Sequence, residues 1–343
     1  MRKFIVALMV LCIAVAMTLG TATAEEIWDF HLRGHTEGLS LGAAPPPGVY
    51  MIDETFIAPA FKLYGDDGHT IPGPKLFAFV NIPTFVWSTG YKFLGADYMC
   101  GFMQPWDYTN LTIQQKTFPT TFEGGSQWGA YNTVLLPAML SWQLPFNLHA
   151  MAGFEVGLND GTTSPGNRVI AYSANGLKYA QRYQSDGGIY AESSNDTYVF
   201  APLWGLSWLC NGWNVSVFGE YDFSTKDTDT NYQSADEIGM DYTVAYNWRK
   251  WTFGFGAESQ FQVGNDKFAS QAPGAPAGIF SYRGQPGTRA ENFTAGPLIG
   301  YNFGAVDTMF IYNFPLYTKN DVGGQWFEFR ILVPLGNPCD WLK

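Results

Sequence analysis

The sequence is short of charged residues. They make up only 14% of the 343-residue chain, against about 25% in typical soluble domains. Because 46% of the residues are hydrophobic and 17% are aromatic, an ordinary soluble surface is hard to build. After the N-terminus no run of about 18 apolar residues follows, which argues against a helical membrane protein. The remaining way to cross a bilayer with every backbone group paired is a β-barrel.

Basic residues and cysteines are also scarce. The 19 Lys and Arg residues oppose 30 Asp and Glu residues, for a formal net charge of −11, which argues against a nucleic acid as partner. Cys12 lies in the N-terminal apolar run, and Cys100, Cys210 and Cys339 have no metal-like spacing. At most one intramolecular disulfide is possible among these three, and we expect free thiols that are buried or face lipid.

Catalytic signatures are weak as well. His-Glu-x-x-His does not occur. Gly-x-Ser-x-Gly is matched once, at Gly38-Leu39-Ser40-Leu41-Gly42, but this match precedes a proline-rich run and lacks the strand-turn-helix context that the hydrolase motif requires. A Ser-His-acid hydrolase stays open as an alternative, with His149 and Glu155 as its in-strand candidates. Six strand positions separate these two by about 20 Å, too far to touch directly. We therefore predict that the chain is not an enzyme.

Two groups of residues resemble metal ligands. His31 and His35 could share one helical face, although two lone histidines are more often solvated. Asp227, Asp229 and Asn231 alternate in a loop but lack the glycine and the terminal glutamate of a calcium loop. We predict no metal site and no cofactor, and we expect the acidic loop to be solvated.

The N-terminus has the pattern of an export signal. Arg2 and Lys3 precede an apolar run, and Ala22-Thr23-Ala24 forms a small-residue cleavage site, so residues 1–24 are predicted to be a cleaved signal peptide. A membrane-anchoring helix is the alternative, but the run of about 16 residues is shorter than the roughly 20 needed to span a bilayer.

Apolar residues occupy every second position in residues 238–249 and again in residues 251–263, and small or polar residues stand between them. Such alternation is typical of strands with two different faces. At about 12 residues each, these strands exceed the usual 5 to 6 but suit a tilted membrane-crossing strand of about 9 to 11 residues plus its ends. We therefore predict an all-β transmembrane antiparallel β-barrel.

About 12 strands of this kind are predicted. Their connections alternate between long and short, and the short ones include Ser88-Thr89-Gly90 and Pro145, as expected for a barrel whose turns on one side are tight. Aromatic residues near strand ends, among them Trp248, Trp251 and Trp326, predict two girdles at the membrane surfaces. The other predicted strands are 49–64, 75–87, 91–103, 131–144, 146–159, 197–210, 214–225, 293–304, 306–317 and 326–335.

The remaining mature residues precede the first strand. Residues 25–48 alternate poorly and end in a proline-rich run that cannot supply the donors of a central strand. We expect them to form a plug-like segment inside or below the barrel, and residues 49–343 to form the barrel itself.

Polar faces should line the lumen, since a charge on the lipid face costs about 2 to 4 kcal/mol near the midplane. Two roles stay open for these residues: a polar path that favours cations or neutral solutes, or a paired network that braces the wall. Glu220, Asp241, Glu258 and Arg330 could serve either. The expected lumen residues are His149, Glu155, Glu220, Asp222, Asp241, Arg249, Glu258, Gln260, Gln262, Glu328 and Arg330.

Several blocks resemble a known family. The family pattern is matched near the start of the mature chain by the proline-glycine-aromatic entry at 44–50. It is matched later by residues 227–235 with the following 251–266, by the glycines Gly296, Gly300 and Gly304, and by the closing residues 327–334. Ala235 departs from the pattern, because a glycine is usual there. The likeness covers most of residues 44–335, and the chain resembles the family of the meta-pathway of phenol degradation, whose members are similar to outer-membrane channels for hydrophobic compounds.

The resemblance implies a place in the outer membrane of a Gram-negative bacterium, in contact with its lipid. It also implies passive uptake of small hydrophobic or aromatic solutes and no ring chemistry. A non-conducting structural or adhesive barrel, acting through its outer loops, is the alternative.

Overall fold

The structure is a computed structural model that describes residues 30–65, 67–112, 126–162, 168–174, 177–183, 193–194, 197–226, 232–264, 267–268 and 289–338. The predicted signal peptide, the acidic loop at 227–231 and Cys339 lie outside these residues. No helix within the described part of the chain is long and apolar enough to cross a membrane.

Twelve antiparallel strands form a closed barrel, which confirms the predicted fold class. Every strand pairs with its neighbours in sequence, and the ring closes because β1 pairs with both β2 and β12. Closure leaves no unpaired edge in the ring. The strands are Gly48–Tyr64 (β1), Thr70–Phe93 (β2), Ala96–Met103 (β3), Val134–Leu144 (β4), Leu148–Gly157 (β5), Val199–Cys210 (β6), Trp213–Ser224 (β7), Glu237–Trp248 (β8), Trp251–Gln262 (β9), Glu291–Asn302 (β10), Asp307–Lys319 (β11) and Trp326–Gly336 (β12).

The hairpin β8–β9 shows why these sequences form a barrel wall. Asp241 and Glu258 are directly paired across the two strands, and both are buried on the inner face. On the opposite face Val244 is 49% exposed and Phe255 is 67% exposed. The predicted alternation, apolar outside and polar inside, is confirmed in this hairpin.

One predicted turn is wrong. Ser88-Thr89-Gly90 does not end a strand, because β2 continues to Phe93 and its pairing with β3 shifts register between Ser88 and Lys92. Gly90, with φ of 76°, sits in this β-bulge, and the true turn is Leu94–Gly95, where both residues have positive φ. A glycine beside small polar residues fits a bulge as well as a turn.

The connection between the predicted strands 91–103 and 131–144 also contains strands. Trp106–Thr112 continues the line of β3 along β2 and pairs with Ser126–Ala130, so this hairpin extends the wall beyond the ring on the side of the long connections. A second hairpin, Arg168–Ala174 with Leu177–Tyr183, lies in the connection between β5 and β6.

Aromatic side chains mark the outer surface near the short turns. Trp213, Trp248 and Trp251 are 44%, 51% and 40% exposed. Trp326 is an exception to the predicted girdles, because it is fully buried and its ring lies 4.9 Å from that of Phe56. It shares the inner face of β12 with Glu328 and Arg330, two and four positions further on, so the period-2 rule explains its placement.

Candidate functional site: the barrel lumen and the N-terminal segment

Residues 30–47, here called the N-terminal segment, run along the inside of the barrel. At one end the ring of Phe30 packs over Gly157, the last residue of β5, beside the long connections. Further along, the Gly42 amide donates to Ser207 Oγ at 2.9 Å. At the short-turn end, Ser88 Oγ donates to the Pro45 carbonyl at 2.9 Å. The segment therefore spans the lumen from one rim to the other.

The N-terminal segment forms a turn at residues 33–38, and Asp241 of β8 binds this turn. One carboxylate oxygen accepts from the Gly34 amide at 3.1 Å, and the other accepts from the Thr36 amide at 2.9 Å and from Thr36 Oγ1 at 2.7 Å. Two positions along β8, Thr243 Oγ1 accepts from the Gly38 amide at 2.7 Å. A buried carboxylate with several donors is well satisfied, so β8 fixes the shape of the turn.

His31 lies between two carboxylates. Its Nδ1 is 2.9 Å from Glu220 of β7, and its Nε2 is 3.2 Å from Asp241 of β8. All three side chains are buried. The ring also covers Gly239, where a Cβ would lie 2.8 Å from the His31 Cβ, so the absence of a side chain at Gly239 makes room for the histidine.

Arg33 links the segment to a different part of the wall. Its Nε donates to Gln260 of β9 at 3.1 Å, and its terminal nitrogens donate to the Asp321 carboxylate and the Val322 carbonyl, each at 2.5 Å. Charge-assisted bonds of this kind are stronger than neutral ones. The guanidinium thus fastens the segment to β9 and to the β11–β12 connection.

Arg330 of β12 contacts the segment from the wall. Its guanidinium pairs with Glu54 of β1 and Glu328 of β12, each at 2.6 Å, and donates to the carbonyls of His35 and Glu37. The Glu37 side chain in turn accepts from Asn313 of β11 at 2.8 Å. One guanidinium therefore joins two strands and the segment in a single buried network.

Carboxylates outnumber guanidinium groups in the interior. The buried residues of the described chain include two arginines, Arg33 and Arg330, and eleven acids. Burying a charge is costly unless it is paired, so this excess needs cations or protons. The acids are Glu37, Glu54, Asp107, Glu155, Glu220, Asp222, Glu237, Asp241, Glu258, Asp321 and Glu328.

The inner wall is apolar on its other side, formed by β1 to β5. A cavity that is partly open to solvent lies between this wall and the N-terminal segment. Phe30 and Leu32 line it from the segment. The other apolar lining residues are Val80, Ile82, Met103, Pro105 and Val134, and the polar lining residues are His35, Asp107, Tyr131, Glu155, Ser193 and Glu220.

Most of the residues expected in the lumen are enclosed in the structure. Glu155, Glu220, Asp222, Asp241, Glu258, Gln260, Gln262, Glu328 and Arg330 are all at most 5% exposed.

Two of the expected residues are not enclosed. His149 is half-buried near the short turns. Arg249 is exposed in the β8–β9 turn, with φ of 58° and its guanidinium 5.1 Å from the Trp248 ring. The strand prediction ran one residue too far, because the turn begins at Arg249, so its placement among the lumen residues is wrong. His149 and Glu155 lie six positions apart on β5, and the structure does not bring them together.

Sequence reasoning missed part of the site. His31 was expected to be solvated, and that expectation is wrong, since the side chain is fully buried. Arg33 and Glu37 could not be assigned because their partners lie more than 200 positions away in sequence. A signal for the apolar wall did exist: β2 is apolar on both faces around Phe79 and Val80, which is typical of strands covered on both sides.

The barrel is similar to solved outer-membrane proteins. An outer membrane channel from Pseudomonas putida F1 superposes with a TM-score of 0.63 at 12% identity, covering 85% of this chain and 96% of that one. The translocator domain of the autotransporter NalP from Neisseria meningitidis gives a TM-score of 0.46 at 10% identity, with 85% and 90% covered. The toluene transporter TbuX from Ralstonia pickettii gives 0.40 at 10% identity, with 93% and 97% covered. The first of these supports the barrel fold.

The sequence itself identifies the family. No curated protein matches the chain. A family model, in contrast, matches residues 62–331, which run from the end of β1 into β12 and include nearly the whole barrel. The chain therefore belongs to the family described as "Putative MetA-pathway of phenol degradation".

Proposed function

We propose that this protein is an outer-membrane channel for passive uptake of small hydrophobic or aromatic solutes. The observation that carries the proposal is the cavity between the N-terminal segment and the apolar inner wall, bordered by Leu32, Val80 and Ile82. A closed barrel with large exposed apolar side chains on its outer face suits a bilayer. A cavity lined mainly by apolar groups suits an apolar solute.

The solute path follows the apolar side of the lumen. A hydrophobic solute gains free energy when it leaves water for such a surface, about 25 cal/mol per Å² of apolar area buried. The charged side of the lumen offers it no such gain. Polar groups in the cavity lining, such as Asp107 and Glu155, would orient a solute that carries a hydroxyl group.

The N-terminal segment acts as the plug in this proposal, and residues 25–29 of the predicted plug lie outside the described residues. Its contacts with Asp241, Gln260 and Arg330 support a bracing role for these residues. Of the two roles left open by the sequence, the paired network fits these contacts better than a polar path. The segment narrows the lumen to the apolar side, so it sets what can pass.

The test is uptake of radiolabelled phenol by Gram-negative cells that express the full chain. Ile82→Trp should fill the cavity from the wall and lower uptake about tenfold, equivalent to roughly 1.4 kcal/mol of barrier. Phe79→Trp, on the outer face of the same strand, is the matched control and should leave uptake unchanged. Both variants should insert into the outer membrane and show the heat-modifiable gel mobility of a folded barrel.

Two results would contradict the proposal, the first its channel function and the second its solute path. Wild-type cells that take up phenol no faster than cells without the protein would indicate a non-conducting barrel. Equal uptake by the Ile82→Trp and Phe79→Trp variants would place the solute path elsewhere.

A further inference from the structure

His31, His35 and Asp241 converge inside the barrel. One ligand atom from each residue lies within 4.8 Å of those of the other two. The histidines are four positions apart in the N-terminal segment, and their rings meet edge to face with centroids 5.1 Å apart. Asp241 comes from the opposing wall, on β8. Three potential ligands from two separate parts of the chain thus face one point.

The distance between two of these atoms fits a coordination sphere. His31 Nε2 and Asp241 Oδ1 are 3.2 Å apart, longer than the about 2.7 to 2.9 Å of a charge-assisted hydrogen bond. Ligand atoms bound tetrahedrally at about 2.0 to 2.1 Å lie roughly 3.3 Å from each other. A metal ion could therefore take the place of the proton between the two groups with little movement.

Groups behind the ligands support the same arrangement. His31 Nδ1 is 2.9 Å from the Glu220 carboxylate, and His35 Nδ1 donates to the Leu32 carbonyl at 2.9 Å. Metal-binding histidines almost always present their second nitrogen to a carboxylate or a backbone carbonyl. His31 is thus oriented to offer Nε2 as its ligand atom. The His35 nitrogen that faces Asp241 is Nδ1, which lies 3.9 Å from Asp241 Oδ2. Asp241 is fixed in turn by Thr36.

We propose that His31, His35 and Asp241 bind a divalent transition-metal ion, with Zn²⁺ as the best chemical match. Two imidazole nitrogens and one carboxylate oxygen suit Zn²⁺, whereas Mg²⁺ and Ca²⁺ take oxygen ligands. His35 also borders the cavity, so the fourth position opens towards it. The ion offsets part of the buried carboxylate excess and ties the N-terminal segment to β8.

The experiment is a Co²⁺ titration of the full mature chain, purified in detergent without a polyhistidine tag and treated with EDTA. Tetrahedral Co²⁺ gives visible absorption bands that Zn²⁺ should abolish by displacement. We expect one ion per chain. His35→Gln should weaken binding at least tenfold, and Glu220→Gln, a change behind the ligands, should weaken it by about 10- to 100-fold.

Matched histidine variants control for non-specific binding. His69, exposed in the β1–β2 connection, and His149, half-buried on β5, should each be replaceable by glutamine with no change in affinity. Variants are compared only when their gel mobility shows a folded barrel. If His35→Gln or Glu220→Gln does not fold, Asp241→Asn is measured as the ligand variant instead. The proposal is overturned if the wild type shows no tetrahedral spectrum, or if removing His35 or Asp241 leaves Co²⁺ affinity unchanged. Neither result depends on solute uptake.

Discussion

The two halves of the inner wall differ sharply. On β1 to β5 the inward side chains are mostly apolar, as at Val80, Ile82 and Met103, whereas on β7 to β9 and β12 they are mostly carboxylates and amides. Both halves have the same outer face, so the lipid does not demand this difference. It must serve what lies inside the barrel.

The N-terminal segment is built to match both halves. Phe30 and Leu32 line the cavity on the apolar side. His31 and Arg33, each the next residue along the chain, bond to the charged side. Four consecutive residues therefore alternate in the same way as the strands around them. The charged half holds the segment, and the apolar half lines the cavity proposed for the solute.

Removing Arg330 from the charged half of the inner wall should cause the largest loss of stability. In Arg330→Met the carboxylates of Glu54 and Glu328 would stay buried without their cation, so we expect the free energy of unfolding to fall by about 3 to 5 kcal/mol. Urea unfolding in detergent, followed by gel mobility, measures the loss. Arg249→Met, in the exposed turn, should change stability by no more than about 0.5 kcal/mol, and similar values for both variants would contradict the buried network.

A methyl group at Gly239 should disturb the fit between segment and wall without changing any charge. The Cβ of Gly239→Ala would press on His31, and overpacking of this kind costs about 1 to 3 kcal/mol. The same unfolding measurement applies. In Gly264→Ala the new Cβ would lie an ordinary 3.5 Å from the Ala235 Cβ, so this control should match the wild type. If Gly239→Ala unfolds like the control, the histidine does not occupy this place.

Enlarging the cavity on the apolar side should have the smallest effect, a change in the rate of phenol uptake. Leu32→Ala removes part of the segment's apolar border and should raise phenol uptake severalfold, for a barrier lower by on the order of 1 kcal/mol. Leu39→Ala, in the same segment but away from the cavity, should have no such effect. Faster uptake in both variants would indicate that the segment had merely loosened.

The alternation of apolar and polar residues makes the outer and inner faces of the strands predictable from sequence. In β8 and β9 every second residue is apolar, so the sequence alone assigns Asp241 and Glu258 to the inner face. The closed ring could likewise be predicted, because long and short connections follow one another along the chain. Both signals are local, and neither depends on what fills the lumen.

The division of the lumen could not be predicted in this way. In β2 both faces are apolar, so alternation does not say which one meets lipid. The contacts of the N-terminal segment join residues far apart in sequence, such as Arg33 and Asp321, and no local pattern encodes such pairs. At Thr89 and Gly90 the sequence predicts a turn where the structure has a bulge, because glycine next to small polar residues favours both structures.

We propose that the N-terminal segment occupies the charged half of the lumen and leaves the apolar half to the solute. Crystals grown in detergent and soaked with 4-bromophenol test it directly, since bromine is located by its anomalous scattering. We expect a bromine peak between Leu32 and Ile82, with the segment still bonded to Asp241. A peak among Asp222, Glu258 and Glu328, or a segment displaced from the barrel, would contradict this arrangement.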